Sequence, residues 1–139
     1  MRMFKLTTMI IMTAIVLSSC MDTEKNKLTN RAETYWDFKV NKDFKSAYNF
    51  LSPGWKKSDS ELAYIQRMSV SKVSWLSSKL SKKDCSQPDL CQVTMTIEYE
   101  YMSKLSGAKK IKVESSINET WIMKDNIWYH LPMSKKLSQ

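Results

Sequence analysis

Two periods divide the chain. From Leu28 to Met68 apolar residues recur at helical spacing, and from Val73 to Leu131 they alternate. The helical stretch opens with Leu28, Ala32, Tyr35 or Trp36, and Lys39 or Val40. Phe44, Ala47, Tyr48 and Leu51 follow at i, i+3, i+4, i+7, one face of a second helix that Asn41 is placed to cap. Ser52-Pro53-Gly54 ends it, because proline disfavours the helical conformation in the residue before it. Ser58 and Glu61 have the spacing of a capping box, which predicts a third helix with Leu62, Ile65 and Met68 on its apolar face.

Beyond Ser69 the period becomes two. Val73, Trp75 and Leu76 open a strand running towards Asp84. Cys91, Val93, Met95, Ile97, Tyr99 and Tyr101 alternate with Gln92, Thr94, Thr96, Glu98 and Glu100, giving one apolar and one polar face. A turn is predicted over 103–108, then a strand from Lys110 to Met123 carrying Ile111, Val113, Ile117 and Trp121. Asp125 and Asn126 predict a tight hairpin into a last strand, Trp128 to Leu131, closed by Pro132. Helices followed by a meander of antiparallel strands predict an α+β fold with the helices on one face of the sheet. Trp36, Tyr48, Tyr99, Tyr101, Trp121 and Trp128 are its candidate aromatics, for the core or for the wall of a pocket.

Two resemblances give these patterns a context. The stretch RAETYWDFKVNKDFKSAYNFLSPGWKKSDSELAY and the later Trp121-Ile-Met-Lys-Asp-Asn-Ile-Trp128-Tyr resemble the helical segment and closing hairpin of nuclear-transport-factor-2-like domains. The resemblance spans most of residues 28–132 and implies a cystatin-like cone, helices packed on a curved antiparallel sheet. The most similar members are small envelope lipoproteins of unassigned function. The superfamily also holds enzymes such as ketosteroid isomerase, so the fold implied does not decide activity.

The second resemblance lies at the N-terminus. Arg2 and Lys5 precede a twelve-residue apolar run, Leu6 to Leu17. That run is too short to span about 30 Å of hydrocarbon but suits a signal peptide. Leu17-Ser18-Ser19-Cys20 resembles the lipobox of bacterial lipoproteins. The resemblance implies cleavage between Ser19 and Cys20, acyl chains on Cys20, and a membrane as partner. It divides the chain into a signal peptide (1–19), a lipidated tether (20–27) that reads equally as a frayed helix start, the α+β domain (28–132) and a flexible tail (133–139). Asp22, rather than an acidic residue directly after Cys20, implies the outer membrane facing the periplasm.

That compartment bears on the cysteines. Three are present; with Cys20 lipidated, Cys85 and Cys91 remain, flanking a predicted turn. Disulfides persist outside the cytoplasm, so a Cys85–Cys91 bridge is expected. No metal site is expected, since the spacing is wrong for zinc and the chain has one histidine. Nor is a cofactor expected: no phosphate-binding loop, nucleophile elbow or His-Glu-x-x-His occurs. The chain carries a net charge of +8, two units of which belong to Arg2 and Lys5. Its lysine clusters, 56–57, 82–83, 109–112 and 135–136, suit an anionic membrane surface better than nucleic acid, which secretion puts out of reach.

Chemistry has one candidate location. A two-residue Asp125-Asn126 turn would set Trp121 opposite His130 and Met123 opposite Trp128, with Glu119 on the same face. The preferred expectation is that a bulge near Ser115-Ser116 turns Glu119 to solvent and leaves His130 on an exposed rim. The first reading is therefore a non-enzymatic binding or accessory module with no catalytic residues. The alternatives are an isomerase-like enzyme using Glu119 or His130 as base, and a subunit of a larger assembly or homodimer joined through the sheet face.

Overall fold

The computed structural model describes residues 16–103 and 109–133, with side chains from Lys27 onward. Among these residues four helices precede a four-stranded antiparallel sheet of order β1-β2-β3-β4, an α+β architecture. Helix α1 (Val16–Val40) is followed by α2 (Phe44–Tyr48), α3 (Pro53–Lys56) and α4 (Glu61–Ser69). The strands are β1 (Val73–Gln87), β2 (Leu90–Ser103), β3 (Lys109–Lys124) and β4 (Ile127–Leu131). Among the described residues no helix is long and apolar enough to cross a membrane. Residues 1–15, most of the predicted signal peptide, lie outside the described residues, as do residues 104–108 of the predicted 103–108 turn and tail residues 134–139.

The helical layer is punctuated by side-chain caps. Residues 20–27 continue α1 as one helix. The cap of α2 is Asp43 rather than Asn41: Lys42 turns the chain with φ 60°, and the Asp43 side chain accepts from the Ser46 amide. Asn41 instead donates to the carbonyl of Asp37 and closes α1. Ser52 caps α3 with Pro53 in its first turn, where the absent N–H costs nothing. Ser60, not Ser58, caps α4, so the expected Ser58–Glu61 box does not form. The buried residue of α4 is Tyr64, flanked by Ile65 and Met68; Leu62 is 65% exposed. Leu62 lies about 200° around the helix from Tyr64, and the Tyr64 ring is fixed against Tyr48.

The sheet follows the alternation closely. Cys91, Val93, Met95 and Ile97 of β2 are buried against Leu28, Ala32, Tyr35 and Trp36 of α1. The opposite face is a polar ladder. Thr94 donates to Asn118, Gln92 pairs with Thr120, and Lys110 and Lys112 face Glu100 and Glu98. Irregularities gather in β1, whose pairing with β2 shifts register at three places. The β2–β3 register is unbroken from Leu90↔Ile122 to Ser103↔Lys109, so the bulge expected near Ser115-Ser116 is absent. Asp125 and Asn126, both at positive φ, form the tight turn, and Trp121 pairs with His130 and Met123 with Trp128. The outer edge of β4 is covered by the segment after α2: His130 donates to the Phe50 carbonyl at 2.8 Å, and its own carbonyl receives the Ser52 amide at 2.9 Å. That contact ties the helical layer to the sheet edge.

Cys85 and Cys91 are cross-strand partners on either side of the β1–β2 turn and form a disulfide. Closing so short a loop is worth roughly 2 kcal/mol in the chain-entropy model. Cys85→Ala should therefore lower the urea-unfolding free energy by about that amount. Reduction should add two hydrogens to the mass of the wild-type chain and none to that of the variant.

Candidate functional site

Continuous β2–β3 pairing carries Glu119 inward. Positions 117, 119, 121 and 123 share one face of β3, and that face lies under α1. Glu119 is 5% exposed, not in solvent. Its Oε1 accepts from the Trp36 indole Nε1 at 2.9 Å and its Oε2 from the Trp121 Nε1 at 3.1 Å. The carboxyl group thus joins a helix to a strand through two buried indoles.

His130 enters from β4, opposite Trp121, its ring stacked at an angle on Trp121 and Tyr35. It too is mostly buried rather than on an exposed rim. Its Nε2 lies 3.8 Å from Glu119 Oε1, beyond hydrogen-bond distance, and its Nδ1 has no partner among the described residues. Burial, with the nearby Lys39 ammonium, lowers its pKa to about 3, so the imidazole is neutral at physiological pH. The 3.8 Å approach is a contact between a carboxyl group and a neutral ring.

Lys39 completes the cluster. It follows Trp36 by three residues on α1 and is only 8% exposed. Its Nζ lies 3.4 Å from the ring centre of Trp36, 4.7 Å from that of Trp75 and 5.2 Å from that of Tyr35. It makes no hydrogen bond or ion pair among the described residues. Aromatic faces stabilise the cation, but burial dominates and brings its pKa down to about 8; Glu119 acts against that shift through space. Burial pushes the Glu119 carboxyl above the ordinary carboxylate range, while Lys39 and the two indole donors pull it back. The leucine-like spacing from Leu28 through Ala32 and Tyr35 ends on this lysine, and that is the signal by which the sequence indicates it.

Two cavities meet at Lys39 and His130. One, of about 430 Å³, lies towards α3 and α4, with Tyr35, Tyr64, Arg67 and Met68 in its wall. The other, of about 310 Å³, lies towards the sheet, with Trp36, Trp75 and Glu119 in its wall. Among the other predicted aromatics, Tyr48 and Trp128 are buried, Tyr99 packs on the margin of the core, and Tyr101 is half-exposed beside it. Trp128 presents a buried Nε1 without a partner among the described residues. No group of three or more His, Cys, Asp or Glu placed to hold a metal ion occurs among the described residues.

Two predictions follow from this geometry. Glu119→Ala orphans two buried indole donors at about 1–3 kcal/mol each. Urea unfolding should show a loss in that range or above, and the Trp36 and Trp121 indole N–H resonances should move together. The pH dependence is set by His130. Because its folded pKa is depressed from 6.5 to about 3, its stabilising contribution is complete above pH 6.5 and is lost as pH falls towards 3. The raised Glu119 acts oppositely, relieving a penalty as it protonates, and offsets part of the loss. The urea midpoint should therefore fall as pH drops below 6.5, and His130→Phe should flatten that decline.

No protein-family model matches the chain, and no curated protein matches it. Among solved structures, the chain is similar to the solution structure of a SEC-C-motif-containing protein from Rhodopseudomonas palustris. The match has a TM-score of 0.54 at 9% identity and covers 70% of this chain and 69% of that one, a likeness of fold alone.

Proposed function

We propose that the chain is a lipid-anchored envelope protein, held by acyl chains on Cys20, whose α+β domain is a non-enzymatic binding module. The observation that carries the binding role is the pair of open cavities meeting at Lys39 and His130 on the margin of the packed core. Anchoring is supported by the apolar run that ends in Leu17-Ser18-Ser19-Cys20. Helix α1 continues from Cys20 to Trp36, a rise of about 24 Å. The anchor and the pocket would then share one helix, and the pocket would stand near the membrane surface. The same reading makes the domain a cystatin-like cone, with the sheet wrapped towards the helices; strands of fourteen to sixteen residues and the register shifts in β1 support that curvature. It also makes the outer membrane, facing the periplasm, the site of action. Along β2 and β3 the outer sheet face is a polar ladder, and the exposed Met102, Ile127 and Leu131 are spread over its ends and its β4 edge rather than gathered into one patch, which favours the pocket over the sheet face.

A second reading has a specific observation behind it. Glu119 is buried beside a cavity, the arrangement an isomerase-like general base requires. The two readings separate by solvent deuterium uptake into enolisable ketones. The binding module leaves uptake at the background rate; an enzyme accelerates it, and Glu119→Gln abolishes the acceleration.

Anchoring has its own test. Cells fed an alkyne-tagged fatty acid should label the wild-type chain and not Cys20→Ser, and the variant should leave the membrane fraction. Equal labelling of both chains would remove the lipid anchor from the proposal.

A further inference from the structure

The larger cavity has a charge asymmetry. Arg67 and Asp59, both in its wall, neutralise each other through two contacts, Nη1–Oδ1 at 3.2 Å and Nη2–Oδ2 at 2.6 Å. Asp59 also accepts from the Trp55 indole. His130 is neutral, and Glu119 is not part of this wall. Lys39 is left as the one charge among the described residues lining the cavity without an ion-pair partner in that wall, Glu119 acting on it only through space, and its ammonium has aromatic faces but no acceptor there. Lys39 as a residue is only 8% exposed, and its ammonium keeps N–H donors that no protein acceptor among the described residues uses, so a ligand acceptor entering the cavity would find them free. The hydroxyls of Tyr35 and Tyr64, 3.4 Å apart, stand in the same wall, where one of them can donate to a ligand oxygen. Met68, Pro132 and Met133 supply an apolar side.

We infer that this cavity binds a small organic monocarboxylate, with its carboxylate on Lys39 and its apolar body against Met68, Pro132 and Met133. The inference rests on the binding-module reading and names its ligand class. The charge in the wall matches a monoanion, and a cation would meet Lys39 at close range. A volume of about 430 Å³ lies within the range of small-molecule sites.

The groups facing Lys39 also set the pH dependence. Tyr35 lies on its own helix, Glu119 and His130 come from the sheet, and Tyr64, Asp59 and Arg67 line the helical side of the cavity. Lys39 loses its proton near pH 8, and burial holds both tyrosines above their ordinary range, so Lys39 titrates first as pH rises from neutrality. Carboxylate binding holds that proton in place and should draw one from solvent at pH 8 to 9.

The test uses the full chain in detergent solution with benzoate, benzamide and inorganic phosphate as probes, followed by NMR of the lysine ε-CH₂ signals and by calorimetry. Benzoate should saturate and shift the Lys39 signal. Benzamide and phosphate should bind at least tenfold more weakly. Benzoate affinity should fall about tenfold per pH unit above pH 8, and the binding heat at pH 8.5 should change with the buffer's ionisation enthalpy, which reports proton uptake. Lys39→Met should lose tenfold or more, and Lys39→Arg should retain binding without the pH 8 decline. Should Lys39→Met fail to fold, the wild-type comparison of benzoate with benzamide and the pH profile still decide. Equal binding of benzamide overturns the carboxylate class while leaving a binding pocket in place. Tighter binding of phosphate, an unchanged Lys39→Met, or no shift with any probe overturns the inference. None of these outcomes alters the labelling of Cys20, so the anchor stands or falls separately.

Discussion

The carboxyl group of Glu119, gripped by one indole from α1 and one from β3, is the contact on which the arrangement of this fold depends. An apolar core tolerates some sliding of a helix over a sheet, because dispersion contacts have little direction. Two hydrogen bonds to opposite oxygens of one buried carboxyl group do not. They set the rotation of α1 so that Trp36 points at β3, and they require Glu119 to face inward, which in turn requires an unbroken β2–β3 register. Lys39, one turn beyond Trp36, is then delivered to the junction of two cavities. The polar site and the packing of the two layers are consequences of the same geometry.

The other ties act on the margins of that arrangement. The Cys85–Cys91 bridge locks the far end of the β1–β2 hairpin. The backbone hydrogen bonds from the His130 amide to the Phe50 carbonyl and from the Ser52 amide to the His130 carbonyl hold β4 against the segment that follows α2. Asp59 receives Trp55 and Arg67 side chains, and its carbonyl receives the Tyr48 hydroxyl, so α2, α3 and α4 converge on one residue. The contacts of Asp59 with Trp55 and Arg67 form part of the wall of the larger cavity.

Strand alternation was legible because a half-buried sheet writes its faces into every second residue. The 91–101 segment and the Asp125-Asn126 turn show it, and the turn fixed Trp121 opposite His130. Helix starts were less legible: several residues near each start can act as a cap, and only backbone dihedrals select Asp43 over Asn41 or Ser60 over Ser58. The inward turn of Glu119 is hidden in the sequence for a related reason. A glutamate in an otherwise apolar alternation suggests a bulge unless its partners are known, and one of those partners, Trp36, lies 83 positions away in the sequence. Lys39 stood on the helical stripe from the outset, but a lysine there is ordinarily read as the edge of the apolar face.

That ordinary reading fails on energetic grounds. At the edge of a helix face a lysine lays its stem on apolar surface and keeps its ammonium in water. Lys39 is instead held under three aromatic rings with little access to solvent, and the energy that water would have supplied appears as a pKa brought down to about 8. Leucine or methionine at position 39 would fill the same space without that cost, and cores accept such exchanges readily. Stability alone therefore does not account for a lysine here. Glu119 repays part of the cost through space, yet the same carboxyl is already engaged by two indoles and does not reach Lys39. The ammonium keeps donors that the fold does not use, and they border a cavity. A ligand acceptor entering there would recover the missing interaction, so the penalty carried by the free protein becomes a source of affinity for an anion over a neutral molecule of the same shape.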